Sequence, residues 1–109
     1  MASMLGAFEQ AVLLAIVHIG DDAYGRAILD EVQKRVGYEV SAGAVQATLE
    51  RLESKRLVVS QVGTGTTVRA GRPRRYFRPT ATGVRALNDA RATMETLWSG
   101  LAWPLKGRL

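Results

Sequence analysis

Arg72, Arg74, Arg75 and Arg78 fall within the ten residues from Gly71 to Thr80, and Arg69 lies just upstream. A guanidinium offers a planar fork of N–H donors that matches two phosphate oxygens at once, so arginines gathered this closely suit a polyanion. No aspartate or glutamate occurs from Ser60 to Val84. Charged surfaces normally mix signs, so an acid-free basic stretch of this length predicts a positive local potential with nucleic acid as its natural partner. Charge can also guard a solvated edge strand against aggregation, but one or two charges suffice for that, not five. Contacts of this type give affinity with little sequence information.

The rest of the composition places that stretch in context. A chain of 109 residues with 47% hydrophobic and 23% charged residues is a single globular domain with a modest core. Its net charge of +5 is unevenly spread: residues 1–54 carry −4, and residues 55–109 carry +9. That asymmetry points to one basic working surface. There is no cysteine, which excludes disulfides and thiolate metal sites. His18 is the one histidine and is expected to be packed or capped inside a buried first helix, so no metal site is expected. The glycine-rich run Gly63–Thr67 lacks the Gly-Lys-Ser/Thr ending of a phosphate-binding loop. Asp21 and Asp22 are adjacent, which suits helix capping better than acid–base chemistry. With no nucleophile–base pair, neither an enzyme nor a cofactor is expected. The apolar run Ala11–Ile19 is too short to span a bilayer and has no basic segment before it. No membrane association is expected, and a cytoplasmic location is.

These residues need elements to position them. Leu5, Phe8, Val12, Ile16 and Ile19 recur at helical spacing. Leu13, Leu14 and Val17 widen the stripe, predicting a first helix buried almost all round. Gly20-Asp21-Asp22 breaks it, with Asp22 a candidate N-cap for a second helix whose inner face is Ile28, Leu29, Val32 and Val36. Gly37 sits where a left-handed cap would end that helix. Ser41 can cap a third helix that buries Val45, Leu49 and Leu52. Leu57–Val62 reads as a strand, Gly63–Gly71 as a hairpin tip, and Arg74–Arg78 as the returning strand. Tyr76 and Phe77 then face opposite ways, so one of them should anchor the hairpin to the core. Thr80 can cap a long last helix that Pro104 stops. The predicted fold is mainly α with a small β-hairpin: a winged helix-turn-helix over residues 1–80 and a C-terminal helix and tail over 81–109.

In that arrangement the third helix enters the major groove while the hairpin follows the backbone. With Val45 inward, Gly43, Gln46, Ala47, Glu50 and Ser54 face outward and Arg51 lies on the flank. Gly43, Ala44 and Ala47 permit close approach of the helix to DNA, and Ser41 lies at an N-terminus suited to phosphate. Gln46 has the donor and acceptor that suit adenine, and Arg51 could meet phosphate or guanine. Arg69, Arg72, Arg74 and Arg75 are the expected phosphate contacts. An interaction module that docks an acidic protein through the same surface is the competing reading.

These residues resemble the PadR family of bacterial transcriptional regulators, in its short single-domain branch. The resemblance runs through Leu5-Gly6, Glu9 and Val12-Leu13, then Tyr24-Gly25 and Ile28. It continues in Ser41, Gly43 and Leu49-Glu50-Arg51-Leu52-Glu53, and ends in Gly71-Arg72-Pro73-Arg74-Arg75-Tyr76-Phe77 with Thr80 and Gly83. It implies a dimeric DNA-binding repressor on a two-fold operator, with the long last helix carrying dimerisation. The family usually has a tyrosine at the position of Gln46 and an apolar residue at that of Pro79, where proline should cut the strand short.

Val84, Leu87, Arg91, Met94, Trp98 and Leu101 repeat at alternating spacings of three and four, a heptad-like seam broadened by Leu97. About two turns of it lie beyond any core the chain can supply, so a second copy is the expected partner. The expected dimer contacts are Leu5, Phe8, Leu87, Met94, Leu97, Trp98 and Leu101. Some short relatives of the family bind flat hydrophobic molecules between subunits by aromatic stacking. Trp98 is therefore the candidate contact for a small hydrophobic effector that releases the DNA.

Overall fold

The computed structural model describes residues 4–63, 68–69 and 72–107. Three helices come first: α1 (Ala7–Ile19), α2 (Gly25–Val36) and α3 (Ala42–Ser54). Four short strands follow, β1 (Val58–Val62), β2 (Val68–Arg69), β3 (Arg72–Pro73) and β4 (Arg75–Pro79), and then α4 (Ala81–Trp98). This is a winged helix-turn-helix with an added C-terminal helix.

The local chemistry explains most boundaries. At the start of α1, Glu9 reaches back to accept from the Gly6 N–H at 3.3 Å, satisfying a free amide of the first turn. Gly37 ends α2 at φ +80°, and its N–H donates to Gln33 O. Ser41 Oγ accepts from Ala44 N at 3.0 Å to begin α3. Asp22 does not cap α2. Gly20–Asp22 instead tightens into a single 3₁₀ turn, and Tyr24 occupies the cap position without a side-chain bond.

At its other end α3 closes through a Schellman arrangement, with Leu57 N donating to Leu52 O and Arg56 N to Glu53 O. Arg56 takes the left-handed position of that motif, at φ +62°. Thr80 then ties this turn to α4: its Oγ1 accepts from Gly83 N and donates to Arg56 O at 2.8 Å. Gly83 lies so close beneath the turn that a Cβ would stand 2.1 Å from Leu57 O.

β1 and β4 pair antiparallel from Val58↔Pro79 to Val62↔Arg75, and β2 and β3 extend the arm with Val68↔Pro73 and Arg69↔Arg72. Pro79 does not shorten this ladder; it terminates β4 as the partner of Val58. The other edge of β4 is held too. Phe77 N donates to Ala23 O at 2.8 Å, and Tyr24 bridges to Tyr76. Phe77 is the residue that anchors the wing, being 6% exposed in a core with Val12, Leu13, Ile16, Ile28, Leu49 and Leu52.

Two helices depart from expectation. α1 is buried on one side only: Leu14 and Val17 remain 43% and 49% exposed, because α2, α3, β4 and α4 all pack on the opposite side. His18 is likewise exposed, with Nδ1 3.3 Å from Arg35 Nη2. α4 ends at Trp98, well before Pro104, because Ser99 turns extended and Gly100 follows at φ +85°. Leu101 therefore lies beyond the helix and off its seam. Val45, Leu49 and Leu52 are buried as expected, and Thr48 joins them.

Candidate nucleic-acid interface

The N-cap Ser41 is exposed, as are Gly43, Ala44, Gln46, Ala47, Glu50, Arg51 and Ser54 on α3, opposite the buried row Val45, Thr48, Leu49 and Leu52. Gln46 Nε2 donates to Glu50 Oε2 at 3.2 Å, one turn further along. The middle of the helix thus presents an amide already paired with an acid, flanked by the small residues Gly43 and Ala47. Between them the helix backbone is uncovered enough for a close neighbour.

Arg51 stands apart from this group. Its Nη2 donates to the buried Thr48 Oγ1 at 3.0 Å, and its Nε lies 3.8 Å from Glu9 Oε2 on α1. Lys55, one turn on, donates to the same Glu9 oxygen at 2.8 Å. The Lys55 hydrogen bond holds the Glu9 carboxyl below its ordinary value of 4.5, against the opposing effect of burial, with further help from the Gly6 amide and from Arg51.

The wing is joined to α3 by a short polar chain. Arg75 Nη1 donates to Ser60 Oγ at 3.0 Å, and Ser60 Oγ donates to Glu53 Oε2 at 2.7 Å. Arg74 is half-buried, with its guanidinium carbon 4.0 Å from the centroid of the Tyr24 ring. Tyr24 meets Tyr76 edge-on, with centroids 5.9 Å apart. Arg78 points elsewhere. It borders a cavity of about 330 Å³ shared with Val59, Gln61, Tyr76, Asp21 and Asp22. The backbone of Arg69 and Arg72 forms the β2–β3 arm; their side chains and Gly71 lie outside the described residues.

The stretch that is free of acids in sequence is therefore not free of them in space. Glu53 reaches the Arg75 side through Ser60, and Asp21 and Asp22 share a cavity with Arg78. Sequence reasoning also gave no role to Glu9, Lys55, Tyr24 or Ser60. The signal for Glu9 was present, since a glutamate three residues after Gly6 marks a helix start. Nothing local announces its partner 46 residues away.

On α4, every residue from Arg91 to Leu97 is exposed, Met94 at 40% and Leu97 at 63%. Trp98 is half-buried, Phe8 and Leu87 pack partly against the core, and Leu5 is covered within it at 7% exposure. Arg91 pairs with Glu95 at 3.3 Å. Among the described residues no helix is long and apolar enough to cross a membrane, and no three His, Cys, Asp or Glu side chains gather to hold a metal ion.

A model of the transcriptional regulator PadR-like family matches residues 13–89. A transcriptional regulator of Mycobacterium tuberculosis is 40% identical over 88 residues, spanning 80% of this chain and 78% of its own. The crystal structure of a PadR family transcriptional regulator from Eggerthella lenta superimposes with a TM-score of 0.64 at 29% identity, covering 82% of this chain and 75% of that one. A second PadR family structure, from Clostridium difficile, has a TM-score of 0.67 at 24% identity over 84% of this chain and 91% of the other, a likeness of fold.

Proposed function

Because this chain belongs to the PadR-like family of transcriptional regulators, we propose that it is a homodimeric, sequence-specific DNA-binding repressor. The carrying observation is the Arg75–Ser60–Glu53 chain, which fixes a cationic wing beside the exposed face of α3. A helix that must read bases needs small residues at the contact and a neighbour that grips the backbone. On this reading Ser41, Gly43, Ala44, Gln46 and Ala47 approach the major groove. Arg69, Arg72, Arg74 and Arg75 hold phosphates beside it. Gln46 must exchange Glu50 for a base edge, so Glu50 would be left to accept from cytosine or water.

The second copy binds through α4, whose Met94 and Leu97 are 40% and 63% exposed among the described residues. Two-fold symmetry then matches a palindromic operator. Trp98 closes that surface and is the proposed stacking contact for a planar hydrophobic effector. Unchanged tryptophan fluorescence across a panel of such ligands removes the effector from this scheme.

The test is binding to duplex DNA from upstream of its own gene, as a function of salt, with mass measured in solution. A dimer making about eight phosphate contacts gives a log–log slope near −7. Arg75→Ala in both subunits should weaken every duplex alike and flatten the slope by about two. A monomer indifferent to DNA at low salt would instead favour an acidic protein as partner of the same surface.

A further inference from the structure

Glu9 is not part of the surface assigned to DNA, yet it contacts two cations at the end of α3. Its side chain is only 12% exposed, whereas those of Arg51 and Lys55 are 56% and 51% exposed. Arg51 is in the last turn of α3, Lys55 is its C-cap, and both turn back toward α1. One oxygen of Glu9 receives Lys55 at 2.8 Å and lies 3.8 Å from Arg51; the other accepts from the Gly6 amide. The acid is thus placed as a backbone phosphate would be placed, with one cation hydrogen-bonded to it and a second close by.

We propose that Glu9 is a positioning residue that acts as an internal substitute for phosphate, withholding Arg51 and Lys55 from the DNA backbone. This inference rests on the DNA-binding reading above. Transferring either cation to a phosphate would leave a partly buried carboxylate with fewer partners, which costs more than losing a partner in open solvent. The two cations therefore stay on Glu9 when the helix docks. Sequence-independent attraction is confined to the wing, and base contacts on α3 account for a larger share of the total affinity. Arg51, which the sequence offers as a phosphate or guanine contact, is on this account held in reserve.

Glu9→Gln removes the charge while keeping an oxygen to accept from the Gly6 amide, since glutamine serves at the same capping position. On a random-sequence duplex, this variant is expected to bind about tenfold tighter at low salt. Its log–log salt slope should steepen by about two to four in a dimer, for one or two cations freed per protomer. Glu9→Gln combined with Lys55→Met should give back about two of that gain. Lys55→Met alone, which needs no change at Glu9, should leave the native slope unaltered. A native protein that binds duplex DNA, beside a Glu9→Gln variant of equal slope, overturns this inference alone. So does a Lys55→Met slope flattened by about two, which would mean that Lys55 already touches phosphate. A native protein that ignores duplex DNA at low salt overturns the DNA reading, and this inference with it.

Discussion

Lys55, Arg51 and the Gly6 amide converge on Glu9, and a carboxyl so surrounded should leave a mark on stability as well as on binding. Its folded value is depressed below 4.5, chiefly by the Lys55 hydrogen bond. The stabilisation it supplies is therefore present above the unfolded value and is lost as pH falls through the folded one. Urea titrations of the native chain and Glu9→Gln should differ most near neutral pH, and the gap should narrow steadily on acidification below pH 4.5. An equal gap at pH 7 and pH 3 would mean that the carboxylate's charge adds nothing to the fold. At this scale the sequence was legible where chemistry is local. Ser41, Thr80 and Gly37 cap as their types dictate, and Phe77 anchors the wing because alternation sends it inward. Arg51 was only partly legible, because besides Thr48 on its own helix it lies beside Glu9 on another. Arg75 was legible only as a cation, and not as one joined through Ser60 to an acid on α3.

The elements divide in the same way. Apolar periodicity located the first three helices, but it could not say which neighbours would arrive. α1 has an apolar stripe wide enough to be covered all round, yet its companions pack on one side and leave Leu14 and Val17 in the open. α4 was expected to run to Pro104, but Ser99 and Gly100 end it a turn and more earlier. Glycine at a left-handed position is a local stop that outweighs the apolar seam continuing through Leu101. The junction of α3, β1 and α4 is the tightest point between elements. Gly83→Ala would drive a methyl group into Leu57 O and should cost about 3 kcal/mol, measured by chemical denaturation. Arg56→Gly in the same turn should act the other way. It relieves a left-handed arginine at φ +62° and should gain up to about 1 kcal/mol in the same assay.

The whole molecule is long for its size. Its radius of gyration is 16.2 Å, against about 13 Å for a compact chain of this length, and its extents are 57 × 31 × 20 Å. The excess agrees with α4, whose last two turns leave the core with every side chain from Arg91 to Leu97 in solvent. The sequence anticipated this overhang from counting turns beyond the wing, since a core built on three helices and a hairpin has a finite reach. If the overhang is the seat of a second copy, Leu97→Glu should yield a monomer by sedimentation at concentrations where the native chain is dimeric. The same change should roughly halve the salt slope on duplex DNA, because one protomer then grips one half-site. A Leu97→Glu protein that remains dimeric would move the interface elsewhere on the chain.

A rigid rod pinned near one end behaves as a lever. α4 is held from the contact of Gly83 with Leu57 to the buried Ala90, and the free arm from there to Trp98 is about 12 Å at 1.5 Å per residue. A sideways push of about 2 Å at the tryptophan end would correspond to roughly 10° of rotation about Ala90. The held end bears on the turn of Arg56 and Leu57, so a load on the free arm would be carried to the heel of α3.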